Sequence, residues 1–287
     1  MAEMADAALP AALLAALREG RVVACIGSGF SYPAGLPSWE ALLRGVVDEC
    51  GVAVLMPADF ANEPVEALDE LQFRVVAAAG RPAACASMRR QLSAAAAPGS
   101  AEMVRRLDAL FALPLAAVMT WNWDDVLTPR CAVVGGGAPS FDAACDPVFA
   151  APRPGGAASP PPLLKLQGSF SDPATVVVEA RDYARVKSAR SGFLRRVYGG
   201  DRCVLHIGQS LGGVSGGVVG PELPELPWVR HWVVLPSGAG EPEQERFLAA
   251  RGVGVLRYPA APGHTEGLCG LLAALAAACA ADPCAQP

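Results

Sequence analysis

The chain has 287 residues and carries 23 Lys and Arg against 28 Asp and Glu, a net charge of -5, so it lacks the positive field that a nucleic-acid backbone requires of a direct partner. Its nine cysteines, at positions 25, 50, 85, 131, 145, 203, 269, 279 and 284, form no C-x-x-C pair, which argues against a zinc ribbon or redox dithiol, and their odd count fits reduced thiols in a cytosol or nucleus, with a cytoplasmic protein the expectation. No basic segment precedes an apolar run at the start, and the longest uncharged apolar run, 268 to 281, is too short for a bilayer; the expectation is a soluble protein that uses neither a membrane nor a metal.

Residues 9 to 18 have a helical pattern that Gly20 can close, and 21 to 26 (RVVACI) form the apolar run of a buried parallel strand. A glycine-rich turn over 27 to 35 leads to a helix over 39 to 50, with Ser38 placed to accept a backbone N–H and Glu40 in the favoured first turn. From about 58 to 110 the chain is alanine-rich with helical spacing, broken near Pro82 and Pro98-Gly99, which predicts a helical insertion beside the main fold. A second strand over 115 to 120 runs into Trp121-Asn122-Trp123-Asp124, at the end where parallel sheets place ligands.

Residues 135 to 162 are rich in Gly, Pro, Ala and Ser and read as a long flexible surface stretch. The chain then gives a strand over 163 to 166, ending in Gln167-Gly168-Ser169, a candidate strand over 176 to 178, and a helix over 179 to 198. A strand over 203 to 207 runs into Gly208-Gln209-Ser210-Leu211, and 212 to 227, rich in glycine and proline, reads as a second flexible loop. The remainder alternates: strand 231 to 235, helix 241 to 251, strand 253 to 257, helix 264 to 281. This order predicts a single α/β domain over 1–287, with a doubly wound, mostly parallel Rossmann-like sheet.

Gly27-Ser28-Gly29-Phe30-Ser31 lies between a strand and a helix, where glycines permit unusual φ and backbone N–H groups can approach a pyrophosphate. Position 32 is Tyr, so the third glycine of G-x-G-x-x-G is absent. The longer segment GSGFSYPAGLPSWEALL (27 to 43) resembles the glycine-alanine-glycine-x-serine and glycine-leucine-proline-serine-tryptophan motifs of sirtuin-like domains. In order along the chain, TWNWDDVL (120 to 127) is similar to that family's threonine-x-asparagine-tyrosine-aspartate turn, and LLKLQGSFSDPATVVVEARDY (163 to 183) to its lysine-leucine-histidine-glycine-serine block. HIGQSL (206 to 211) resembles its glycine-x-serine-leucine turn, and RGVGVLRYP with His264 its closing strand and helix.

The resemblance implies an NAD+-binding fold whose members consume NAD+ by hydrolysing the nicotinamide glycosidic bond or by coupled deacylation. The deacylase branch carries a zinc module with two cysteine pairs that this chain lacks, so the resemblance points to hydrolysis, as in the zinc-less defence-type members, which often form homo-oligomers. Carried over by position, Gly27, Ser28, Gly29 and Ser31 would hold the pyrophosphate and nearby ribose, Asn122 would orient water or the nicotinamide ribose, and Asp124 would meet the nicotinamide end. Gly208 and Ser210 would approach from the neighbouring strand.

The family's catalytic histidine falls on Gln167, whose amide can orient a water but cannot take its proton. Two expectations follow: an NAD+ hydrolase with impaired base chemistry, or a non-catalytic module that senses NAD+ or ADP-ribose. Structural readings stand beside these. His206 within an apolar strand reads as a core histidine, Cys25 as a small buried apolar group, Trp39, Trp121 and Trp123 as packing, Asp124 and Asp125 as helix-start acids, and His264 as a cap.

Overall fold

The computed structural model describes residues 9–59, 65–95, 100–133, 160–209, 230–238, 242–260 and 264–281. Two sequence expectations fall largely elsewhere: 212 to 227 lies outside the described residues, as does 135 to 162 except for its last three.

Helix α1 (Ala11–Arg18) leads into β1 (Val22–Ile26), a five-residue strand buried along its whole length. The short α2 (Ser28–Ser31) follows, then a 3-10 turn over Tyr32–Ala34 and α3 (Trp39–Cys50). The predicted cap of α3 is present, Ser38 Oγ accepting the Ala41 N–H at 3.2 Å, and Gly51 closes the helix with φ 63°. The helical insertion supplies α4 (Val65–Ala79), α5 (Arg81–Ala95) and α6 (Ala101–Phe111). Strands β2 (Ala117–Thr120), β3 (Ala132–Val133) and β4 (Pro162–Lys165) come next, then α7 (Ala180–Gly199), β5 (Cys203–Ile207), β6 (His231–Pro236), α8 (Pro242–Ala250), β7 (Val253–Tyr258) and α9 (Thr265–Ala280).

Among the described residues, seven strands form one parallel sheet in the order β3-β4-β2-β1-β5-β6-β7, with helices on both faces, so the doubly wound α/β expectation holds. Side chains alternate across β1: Val22, Ala24 and Ile26 join the core with α1, α6 and α9, while Val23 and Cys25 join the core with α7 and α8. A third apolar cluster packs α3, α4 and α5 together, against Phe170, Val176 and Val178. From β1 the chain passes to β2, out to the edge strand β3 and back to β4 between them, then returns through α7 to place β5 on the other flank of β1. The order therefore reverses between β1 and β5, the point at which open α/β sheets leave a crevice beyond their carboxyl ends.

Residues 176 to 178 are not a strand, contrary to expectation, although all three valines are fully buried. Their backbone groups pair with side chains and loops instead of a ladder. Arg81 Nη2 donates to the Val176 carbonyl at 2.9 Å, the Val177 N–H donates to the Gln167 carbonyl at 3.0 Å, and Gln72 Nε2 donates to the Val178 carbonyl at 3.0 Å. The Val178 and Glu179 N–H groups both donate to Asp182 Oδ2 at 3.2 Å, which turns the chain into α7. A further strand, β3, consists of two exposed residues at the sheet edge, in a short apolar run for which no strand was expected. Asp124 and Asp125 do not start a helix either, since a turn and a 3-10 segment over Thr128–Arg130 follow them.

Candidate functional site

The site lies where the ends of β1, β2 and β5 meet. Directly after β1, the Gly27 N–H donates to the Ile207 carbonyl at 2.9 Å and the Gly29 N–H to the Gly208 carbonyl at 3.0 Å. The turns after β1 and β5 are thereby sewn backbone to backbone, and glycine is required at this seam. A Cβ on Gly27 would stand 2.9 Å from Gln209 Cα, and one on Gly208, whose φ is 68°, would stand 3.0 Å from Gly29 C and Phe30 Cα. The two amides expected to face a ligand are engaged by protein carbonyls. What Gly27, Gly29 and Gly208 supply is the close approach of two loops.

Gly27 caps α2 in extended conformation, so the helix begins at once and turns Ser31 inward to 1% exposure, leaving Ser28 and Gly29 exposed. Ser31 is the hub of the site. Its hydroxyl accepts a hydrogen bond from Asn122 Nδ2 at 3.3 Å and donates to Asp124 Oδ1 at 3.5 Å. Thr120, the last residue of β2, aligns that loop: its hydroxyl donates to the Ile26 carbonyl of β1 at 2.8 Å and accepts the Asn122 N–H at 3.0 Å. Asp124 Oδ1 also accepts the Val126 N–H at 3.0 Å, the short-range bond by which an Asp builds a turn. Burial raises the Asp124 pKa above the ordinary carboxyl value, against the bonds from Val126 and Ser31 and the charge of Lys165. The carboxylate is thus a stronger base than a solvated Asp.

Of the residues singled out in the sequence, Ser31, Asn122 and Asp124 are joined by hydrogen bonds, and Gly27, Gly29 and Gly208 form the adjoining seam. Gln167 follows β4 and is turned elsewhere, its Nε2 donating to the Tyr183 hydroxyl of α7 at 3.0 Å; among the described residues no hydrogen bond joins it to Asn122 or Asp124. Ser210 lies outside the described residues. Trp121 and Tyr183 flank the Arg190 guanidinium, 5.3 and 5.4 Å from their ring centres, whereas Trp123 packs edge-on against Phe170. Neither tryptophan is idle surface.

Sequence reasoning quoted Thr120, Lys165 and Gln209 within its motifs without giving them a role, and missed Arg106. Lys165 is 7% exposed at the end of β4; a cation inside an apolar strand pattern and its match to the lysine of the quoted motif were its signals. Gln209 Nε2 reaches the Cys25 carbonyl at 3.5 Å and its sulfur at 3.4 Å, closing the far side of the seam. Arg106, 2% exposed on α6, sends Nη1 to the Gly29 and Phe30 carbonyls at 2.9 and 3.0 Å and Nε to Thr265 Oγ1 at 2.7 Å. Nothing local in the sequence marks it, because its burial depends on α6 and α9 closing over it.

The remaining candidates are structural. Burial pushes the Cys25 thiol up to about 12, so it is inert near neutral pH. His206 is fully buried and stacks on Tyr198, away from the hub. His264 precedes α9 with φ 59° and makes no side-chain cap bond. Among the described residues, no group of three or more His, Cys, Asp or Glu is arranged to hold a metal, and no helix is long and apolar enough to cross a membrane. No protein-family model matches the chain and no curated protein matches it.

Proposed function

We propose that the β1–β2–β5 crevice binds NAD+ and hydrolyses its nicotinamide glycosidic bond, as the sirtuin-like motifs of the sequence imply. The observation that carries this reading is the Ser31 hydroxyl, bonded at once to the Asn122 amide and the Asp124 carboxyl. In this reading two motif segments far apart in sequence, the turn after β1 and the loop after β2, together offer an amide and a carboxylate to one bound sugar. Cleavage leaves cationic character at the ribose C1′, which a nearby carboxylate and amide oxygen stabilise. The bonding electrons leave with nicotinamide, water adds to C1′, and its proton passes to a base. Asp124 fills that role in this reading, since burial makes it more basic. With the Gly27 and Gly29 amides already engaged, the diphosphate lies along the exposed Ser28–Gly29 edge, with the Ser28 hydroxyl as its side-chain donor.

A second reading is favoured by Gln167, which stands where the family has its histidine and whose amide is tied to Tyr183. Without an imidazole the site would lose the roughly 10²–10⁴-fold that general base catalysis supplies, leaving a module that binds NAD+ or ADP-ribose and reports occupancy. One experiment separates the readings. Purified protein should release nicotinamide from NAD+, Asn122→Ala should abolish release, and Gln167→His should raise it. Titration calorimetry that detects NAD+ or ADP-ribose binding without turnover would select the sensor, and no binding of either ligand would remove both readings.

A further inference from the structure

Lys165 ends β4 with its side chain buried, and β4 lies beside β2, so its ammonium reaches under the loop that carries Asn122 and Asp124. Four oxygens surround it: the Trp123 carbonyl at 3.0 Å, the Asp124 carbonyl, Asp125 Oδ1 at 2.7 Å and Ser169 Oγ at 3.1 Å. A buried cation is tolerated only when paired and hydrogen-bonded, and an ammonium offers three donors that suit such a cage. The two carbonyls belong to the peptide groups on either side of the Asp124 Cα. Holding both fixes the backbone of residue 124 while its carboxyl runs to Ser31. Asp125 is bound in turn by Lys165 and by the Ser169 hydroxyl at 3.0 Å, and Ser169 Oγ lies 2.6 Å from Ser171 Oγ, so the cage is braced from the loop after β4.

We propose that Lys165 is the positioning residue of this site: its ammonium clamps the Trp123 and Asp124 carbonyls and thereby sets where the Asp124 carboxyl and the Asn122 amide stand against Ser31. The proposal rests on the reading that Asn122 and Asp124 act on the bound sugar, but its test does not depend on turnover. The uncharged variant Lys165→Met keeps the length of the stem and removes the clamp. Carboxyl NMR, with the Asp124 signal assigned through Asp124→Asn, should show the Asp124 midpoint moving up in Lys165→Met, because a neighbouring positive charge is lost. Nicotinamide release should fall about 10²-fold in kcat, the scale of a misplaced reacting group, with the smaller change in KM. Loss of the charge raises the Asp124 midpoint by itself, so the clamp is read from the Asn122 side-chain amide, whose resonance should move as its bond to Ser31 is lost; an unaltered Asn122 amide in folded Lys165→Met overturns the proposal. Should Lys165→Met fail to fold, ammonium NMR of the wild-type protein decides. The Lys165 resonance should be protected from exchange and should shift as Asp124 titrates, and a resonance indifferent to Asp124 overturns the assignment. A wild-type protein without turnover would remove the hydrolase reading alone.

Discussion

The seam between the turns after β1 and β5 can be tested with three glycines whose circumstances differ in a controlled way. Gly51, at the end of α3, has φ 63° and nothing within 4 Å of an added Cβ, so Gly51→Ala should cost only left-handed strain, about 1 kcal/mol. Gly27 has an ordinary φ of -104°, but an added Cβ would stand 2.9 Å from both Gly208 C and Gln209 Cα. Gly27→Ala therefore isolates the clash, about 2 kcal/mol on the scale of overpacked interiors. Gly208 combines both conditions: φ is 68°, a Cβ would overlap the Phe30 amide, and Gly29 C and Phe30 Cα lie 3.0 Å away. Backbone cannot rotate aside as a side chain can. Forcing the turns apart also strains the Gly27 and Gly29 hydrogen bonds, so Gly208→Ala should lose about 4 kcal/mol in all. Urea unfolding of the three variants, with equal slopes, gives the ordering directly. Equal losses for Gly51→Ala and Gly208→Ala would refute the seam, and with it the claim that these glycines are there for loop-to-loop approach.

Other outcomes follow from the buried polar groups. Burial lowers His206 to about 3, with the charge of His231 adding to it, and lowers His231 to about 4, so both are neutral when folded. An unfolded chain takes up these protons below about pH 6.5, so stability is full above that value and falls as pH drops toward the folded pKa values; at pH 5 each histidine should cost about 2 kcal/mol. Urea midpoints from pH 7.5 to 5 check this, and a flat profile in a His206→Leu, His231→Leu double variant should accompany a falling one in the parent. Arg106→Met removes the guanidinium from the Gly29 and Phe30 carbonyls and from Thr265, and should destabilise by about 3 kcal/mol in the same assay; a loss under about 1 kcal/mol would mean that α2 does not depend on α6 for its placement.

The alternation of apolar runs with helical spacing made the sheet legible because a parallel strand buried on both faces is largely apolar, as β1 is throughout and β5 is apart from His206. The same rule misread 176 to 178. Three buried valines satisfy it, yet Arg81, Gln72 and Asp182 supply the backbone partners that a neighbouring strand would have given. Those partners come from α4, α5 and the start of α7, and no pattern local to the valines encodes them. Strand β3 failed in the opposite sense, since its pairing with β4 holds only two residues, exposed at the edge, and so short an apolar run predicts no strand.

At the site, residue types indicated which side chains would gather but not what the glycines would do there. A G-x-G turn after a strand is compatible with two uses of its backbone: amides offered to an anion, or amides given to a neighbouring loop. Which one occurs depends on what occupies the adjacent strand end, and here that is Gly208, itself free of a side chain, so the second turn approaches until its carbonyl takes the Gly29 amide. The consequence reaches the chemistry. With the backbone committed to the seam, discrimination at this crevice falls to side chains: Ser31, Asn122 and Asp124, held by Thr120 from β2 and by Lys165 from β4. On the proposed reading such a site depends on the pose of one short loop far more than on a helix start, which is why loss of the clamp on residues 123 and 124 is expected to be felt first in NAD+ binding and turnover.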